Sequence, residues 1–91
     1  MRIARRFLVS GRVQGVGFRW FATEAAAREG VVGWVCNLPD GRVEAWVEGE
    51  AEAVTRVERA LRQGPRGARV DGVVADHEDP AGTFNDFSVR S

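Results

Sequence analysis

The sequence is poor in the residues that build most covalent and metal chemistry. Lysine is absent, since all thirteen basic residues are arginine, and this excludes Schiff-base catalysis and the lysine of a P-loop. The single cysteine, Cys36, excludes an internal disulfide and a multi-cysteine metal site. The single histidine, His77, excludes a zinc site built on a pair of histidines.

Net charge and long hydrophobic runs are lacking as well. Thirteen acidic residues balance the thirteen arginines, so the sequence has no strongly basic surface for a nucleic acid. No apolar run approaches the roughly 18 residues that span a bilayer, and the run after the charged N-terminus is too short for a signal peptide. We therefore expect a cytoplasmic protein with no membrane or nucleic-acid partner, and the small size and balanced charge favour a monomer.

The apolar residues, 44% of the 91, are spread along the chain in a way that predicts one globular domain over residues 1–91. Their alternation and spacing predict strands over 3–12, 31–37, 42–48, 69–76 and 84–90, and helices over 19–29 and 51–63. The order is βαββαβ with an extra C-terminal strand. Two helices can cover only one face of such a sheet, which predicts a ferredoxin-like two-layer α+β sandwich with a mixed, mainly antiparallel sheet.

The predicted hairpin around residues 38–41 places two tryptophans across from each other. If Val35 and Ala45 share the inner face, then Trp34 faces Trp46 on the outer side of the sheet. Aromatic residues on an open sheet face are typical of RNA-binding sheets, which stack bases on them. The outer positions 42, 44 and 48 carry mixed charge, however, so we interpret the pair as packing.

The loop between the first strand and the first helix is the leading candidate site. It contains Gln14, Gly15, Val16, Gly17, Phe18 and Arg19. Glycines allow successive backbone N–H groups to converge on an anion, the helix dipole adds positive charge, and an arginine adds a planar pair of donors. The alternative is a tight strand-to-helix turn with a solvated arginine.

Three other features carry polar or reactive side chains. Asn37, at the end of the second strand, has an amide that can orient a water, although it can equally begin the reversal as an Asx-turn residue. The run from Asp76 to Asp79 has the composition of a metal or acid–base cluster, but we expect a solvated loop. Cys36 lacks a histidine base beside it, so we expect a packing residue.

Two segments resemble the signatures of the acylphosphatase family, and the resemblance extends over nearly the whole chain. The first is Gly11-Arg12-Val13-Gln14-Gly15-Val16-Gly17-Phe18-Arg19. The second is Gly33-Trp34-Val35-Cys36-Asn37-Leu38-Pro39-Asp40-Gly41. Two signatures at the proper separation are far more specific than either one alone.

The resemblance implies hydrolysis of the carboxyl–phosphate anhydride of acyl phosphates, without metal or cofactor. It implies that Arg19 binds the phosphate together with the backbone amides of residues 14–19, that Asn37 positions the attacking water, and that inorganic phosphate binds as product or inhibitor. Gly17 stands at a position that varies in the family, where glycine is expected to loosen the loop slightly.

Two questions stay open at this level. A ferredoxin-like chain can be a non-catalytic interaction or regulatory module, and an acylphosphatase-like domain begins the large carbamoyl-transfer proteins that mature hydrogenases. Because the sequence ends just after its last predicted strand, we expect a free-standing enzyme. Acetyl phosphate, carbamoyl phosphate and 1,3-bisphosphoglycerate present the same anhydride, and a shallow site on so small a domain predicts little selectivity among acyl groups.

Overall fold

Five strands and two helices follow one another in the order that the sequence predicts. A computed structural model describes residues 1–90. The elements are β1 (Arg2–Arg12), α1 (Phe18–Glu29), β2 (Val32–Asn37), β3 (Val43–Glu50), α2 (Ala51–Gln63), β4 (Arg69–Glu78) and β5 (Phe87–Val89). Gly30 ends α1 in the left-handed conformation, and its N–H reaches the carbonyls of Ala26 and Ala27, as is typical of a helix C-terminus.

The strands form one sheet in the order β4-β1-β3-β2-β5. The pairs β1–β3, β1–β4 and β2–β3 are antiparallel, while β5 lies parallel to β2. Buried side chains of the three inner strands pack against both helices in a single core, so the helices cover one face. This confirms the predicted ferredoxin-like α+β sandwich with its mixed sheet. Within residues 1–90, neither helix has the length and apolar character needed to cross a membrane.

The β2–β3 hairpin has the predicted register. Val35 pairs with Ala45 and Trp34 with Trp46. Since Val35 and Ala45 are both fully buried against the helices, the two tryptophans face the other side of the sheet. The alternation of the two strands was therefore sufficient to predict which residues share a face.

The boundaries of the last two strands differ from the prediction. β4 continues to Glu78 because its ladder with β1 continues to the pair Ala4–Glu78. Arg6 of β1 strengthens that end, since its guanidinium lies 3.1 Å from the Asp76 carboxylate and 3.7 Å from that of Glu78. The predicted strand ends at residue 76, so the prediction of a loop is wrong for His77 and Glu78, which are strand residues.

Residues 79–86, between β4 and β5, cover part of the sheet face that the helices leave open. For this reason β5 begins only at Phe87, later than predicted. The anchor of residues 79–86 is Glu48, whose fully buried carboxylate accepts hydrogen bonds from Trp46 Nε1 at 3.0 Å, Ala81 N at 2.9 Å and Gly82 N at 3.0 Å. The Phe84 ring lies 6.3 Å from the Trp46 ring. Glu48 thus lies on the outer face, as its place in the alternation predicts, but it is buried there because residues 79–86 lie over it.

Candidate functional site

The connection from β1 to α1 leaves the first turn of the helix open to a ligand. Gly15 and Gly17 have φ angles of 74° and 76°, in the left-handed region that glycine adopts without strain. Gly17 precedes the helix, no side chain caps it, and the first turn contains no acidic residue. The first backbone N–H groups of α1 have no partner inside the helix, and they lie at the positive end of its dipole. Glycine therefore suits the backbone conformation that the structure requires at position 17.

Arg19 lies in that first turn and is exposed. Its side chain takes part in none of the ion pairs formed within residues 1–90. A guanidinium at the positive end of a helix is repelled by the dipole, so this position favours an anion between the arginine and the backbone amides.

The side chain of Gln14 ties the loop to the hairpin. Its Nε2 donates to the carbonyl of Leu38 at 2.8 Å and to that of Arg42 at 3.0 Å. These carbonyls flank the β2–β3 turn that follows Asn37. The side-chain nitrogen is thus occupied by the protein, which leaves the backbone N–H as the donor that Gln14 can offer an anion. Nothing in the sequence spacing indicated this link.

Asn37 ends β2, and its half-buried side chain lies on the same face of the strand as that of Val35. Its Oδ1 is buried and has no hydrogen-bond partner within residues 1–90. The Asx-turn role belongs to Asp40, whose Oδ1 accepts from Arg42 N at 3.1 Å. A buried acceptor without a partner costs about 1–3 kcal/mol, which is the kind of cost that functional groups carry.

One pocket of about 400 Å³ brings these groups together. It is lined by Val13, Gln14, Gly15, Gly17, Phe18, Arg19, Trp20, Thr23, Asn37 and Val89. The two segments that the sequence singled out therefore meet at one edge of the sandwich. Val16, which was predicted with the loop, does not line the pocket, and its side chain packs against the core instead.

The other candidates lie elsewhere. Cys36 places its Sγ 3.9 Å from Glu44 Oε1, and burial raises the pKa of the thiol, so it stays protonated at neutral pH. His77 belongs to β4, which β1 and β3 separate from β2. In the part of the chain that the structure describes, no three His, Cys, Asp or Glu side chains are grouped as a metal site.

Sequence reasoning missed the apolar side of the pocket. Trp20 and Thr23 lie three residues apart on α1, and Val89 comes from β5. Helical spacing predicts that the first two share a face, whereas the approach of β5 depends on the tertiary fold.

Comparison with known proteins gives a consistent result. The family model described as Acylphosphatase matches residues 5–89. An acylphosphatase of Anaeromyxobacter dehalogenans is 55% identical over 89 residues, which are 98% of this chain and 96% of that protein. The crystal structure of acylphosphatase from Bacillus subtilis has a TM-score of 0.94 and 34% identity, with coverage of 98% of this chain and 99% of that one.

The same fold also occurs inside a much longer chain. The crystal structure of T. kodakarensis HypF matches with a TM-score of 0.85 and 33% identity, over 98% of this chain but only 12% of that one.

Proposed function

Because this chain belongs to the acylphosphatase family and hydrolyses acyl phosphates, we propose that the reaction takes place in the pocket beside the start of α1. Arg19 and the backbone amides of residues 14–19 hold the phosphoryl group, and Asn37 positions the attacking water. The observation that carries this proposal is that Arg19 lines the same pocket as Asn37, whose side-chain Oδ1 has no hydrogen-bond partner within residues 1–90.

The phosphoryl group fits the positive end of the pocket. A helix N-terminus with no cap and no acidic residue in its first turn supplies backbone N–H donors and about half a positive charge. Arg19 adds two parallel donors that match two phosphate oxygens. Because phosphoryl transfer spreads charge over the equatorial oxygens, these donors stabilise the transition state more than the ground state.

Asn37 is the residue that is placed to orient the attacking water. The side-chain amide of Asn37, which offers both a donor and an acceptor, forms hydrogen bonds with the water and so aims the water oxygen at phosphorus. Gln14 supports this arrangement, since its hydrogen bonds to the carbonyls of Leu38 and Arg42 fix the distance between the loop and the strand end that carries Asn37. Orientation of this kind lowers the entropic part of the barrier.

The reaction needs no side chain of the protein as a base to take the proton of the water. The water oxygen forms a bond to phosphorus, the bond between phosphorus and the acyl oxygen breaks, and the carboxylate leaves with the electron pair. Arg19 is the only charged residue among the described residues that line the pocket. The proton of the water therefore passes to a phosphate oxygen or to the departing carboxylate, and the products are a carboxylate and inorganic phosphate.

The test is release of inorganic phosphate from acetyl phosphate in the presence of EDTA. We expect wild-type turnover without metal, and a loss of about 10³-fold in kcat/KM for Arg19→Gln, since one preorganised set of donors is worth about 3–4 kcal/mol. Arg28→Gln, in the last turn of the same helix, is the matched control and should keep wild-type activity. A wild type with no turnover above the spontaneous rate would instead support a non-catalytic interaction module.

We also propose that residues 1–91 form one domain that acts as a cytoplasmic monomer without a nucleic-acid partner. On the outer sheet face, the Arg90 guanidinium lies 4.6 Å from the centre of the Trp34 ring, where a base would stack. Light scattering measures the oligomeric state, and salt-dependent RNA binding that is lost in Trp34→Ala would contradict the proposal.

A further inference from the structure

The pocket continues beyond the phosphate-binding loop along an apolar wall. Trp20 follows Arg19 in the first turn of α1, Thr23 lies three residues later, and Val89 of β5 joins them. We call these three residues the acyl wall. The pocket volume of about 400 Å³ lies within the roughly 300–1,000 Å³ of sites that enclose whole small molecules, so it has room for more than a phosphoryl group.

The acyl wall offers hydrophobic surface and no second charge. Trp20 is 67% exposed, although a large indole is usually covered by its own protein. The hydroxyl of Thr23 donates to the backbone carbonyl of Arg19 at 2.9 Å, so its donor is used inside the helix. Val89 is half exposed. The polar and charged groups of the pocket are thus concentrated where the phosphoryl group would bind.

We propose that the acyl wall binds the acyl group of the substrate and selects acyl phosphates whose acyl group is aromatic or otherwise apolar and carries no second charge. This inference rests on the proposed function, because a phosphoryl group held by Arg19 directs the acyl group into the rest of the same pocket. It replaces the sequence-based expectation of little selectivity among acyl groups.

The expected effect falls on KM. An aromatic acyl group packs against the Trp20 indole in an offset or edge-to-face arrangement. The ring does not change during the reaction, so this contact stabilises the bound substrate and the transition state equally. Loss of such a contact raises KM while kcat stays the same.

The experiment compares benzoyl phosphate with acetyl phosphate. We expect Trp20→Ala to raise KM for benzoyl phosphate about tenfold while KM for acetyl phosphate changes less than about twofold, which is the range for loss of one apolar contact in a pocket. Trp20→Phe should keep most of the preference. Val74→Ala is the control, since Val74 is a 57% exposed apolar residue on β4, away from the pocket.

A second measurement avoids turnover. Benzoylphosphonate and acetylphosphonate are non-hydrolysable competitors, and we expect the wild type to bind benzoylphosphonate more tightly. The inhibition constant of acetylphosphonate divided by that of benzoylphosphonate should therefore fall towards one in Trp20→Ala. Wild-type hydrolysis of both substrates with equal changes in Trp20→Ala, or with none, would overturn the acyl wall and leave the proposed function intact. Wild type that hydrolyses neither substrate would overturn the proposed function and this inference together.

Discussion

Replacing Glu48 with glutamine tests how strongly the fold depends on one buried carboxylate. Its oxygens accept from Trp46 Nε1, Ala81 N and Gly82 N at 2.9–3.0 Å, and Arg2 lies 3.6 Å away. Glutamine keeps the shape but turns one acceptor into a donor, so an NH₂ group faces another donor. At least one charge-assisted hydrogen bond, worth about 1.5–3 kcal/mol, is lost, and one buried donor is left without a partner. We expect the free energy of unfolding to fall by about 2–4 kcal/mol, or roughly 10–25 °C in Tm for a chain of this size.

The effect has a defined pH dependence. Burial raises the pKa of Glu48, but the hydrogen bonds from Trp46, Ala81 and Gly82 and the charge of Arg2 together outweigh burial and hold that pKa below its ordinary value. The stabilisation is therefore fully present above the unfolded-state pKa of about 4.3 and is lost as the pH falls through the lower folded-state value. The difference in unfolding free energy between wild type and Glu48→Gln should be largest near neutral pH and should narrow in acid.

Urea denaturation at pH values from about 7 down to about 3 measures this difference. Glu58→Gln is the control, because Glu58 forms an i,i+4 pair with Arg62 on α2, and such exposed pairs contribute only about 0.3–0.5 kcal/mol. Hydrogen exchange at the Ala81 and Gly82 amides reports whether residues 79–86 detach. A difference below about 0.5 kcal/mol at neutral pH, or one that does not change in acid, would refute the reasoning.

Two predictions concern the pocket. Asn37→Ala should lower kcat about 10²-fold while the inhibition constant of inorganic phosphate stays within about threefold of wild type, because orientation is lost and the phosphate donors remain; if phosphate affinity fell as far as in Arg19→Gln, the assigned roles would be contradicted. Gln14→Ala removes the hydrogen bonds to the Leu38 and Arg42 carbonyls, so the free energy of unfolding should fall by about 1–3 kcal/mol and kcat by about tenfold. Wild-type kcat in a destabilised Gln14→Ala would show that the link has only a structural role.

The features that sequence could predict are those that depend on neighbouring residues. Alternation in the β2–β3 hairpin was enough to pair Trp34 with Trp46, because a short turn fixes the register of two adjacent strands. The loop before α1 could be predicted as a candidate anion site from its glycines and Arg19, with a solvated strand-to-helix turn as the alternative. Its combination with Asn37 came from the family resemblance, since nothing in local spacing brings the end of β2 to the start of α1.

The features that sequence could not predict depend on segments far apart in the chain. Glu48 reads as a solvated charge in an alternating strand, and only the return of residues 79–86 across the sheet makes it buried. Because residues 79–86 cross the sheet in this way, β5 has three residues instead of the predicted seven over 84–90. Val89 reaches the pocket because β5 lies parallel to β2, a pairing between distant segments that periodicity cannot indicate.

The position of β1 between β3 and β4 bears on how the chain reaches its native state. Phe7 pairs with Ala45 on one side and with Ala75 on the other, so β1 precedes both of its partners by long stretches of chain. Proteins dominated by such distant pairings fold in milliseconds to seconds rather than microseconds, because loop closure must come before the contacts that reward it. During synthesis the apolar residues of β1 have no strand to pair with until β3 has been made. One edge of β1 then stays unpaired until β4 has emerged from the ribosome. A chain in that interval exposes an unpaired strand edge, which is the kind of surface on which chains pair with one another, and the pairing of β4 with β1 covers that edge.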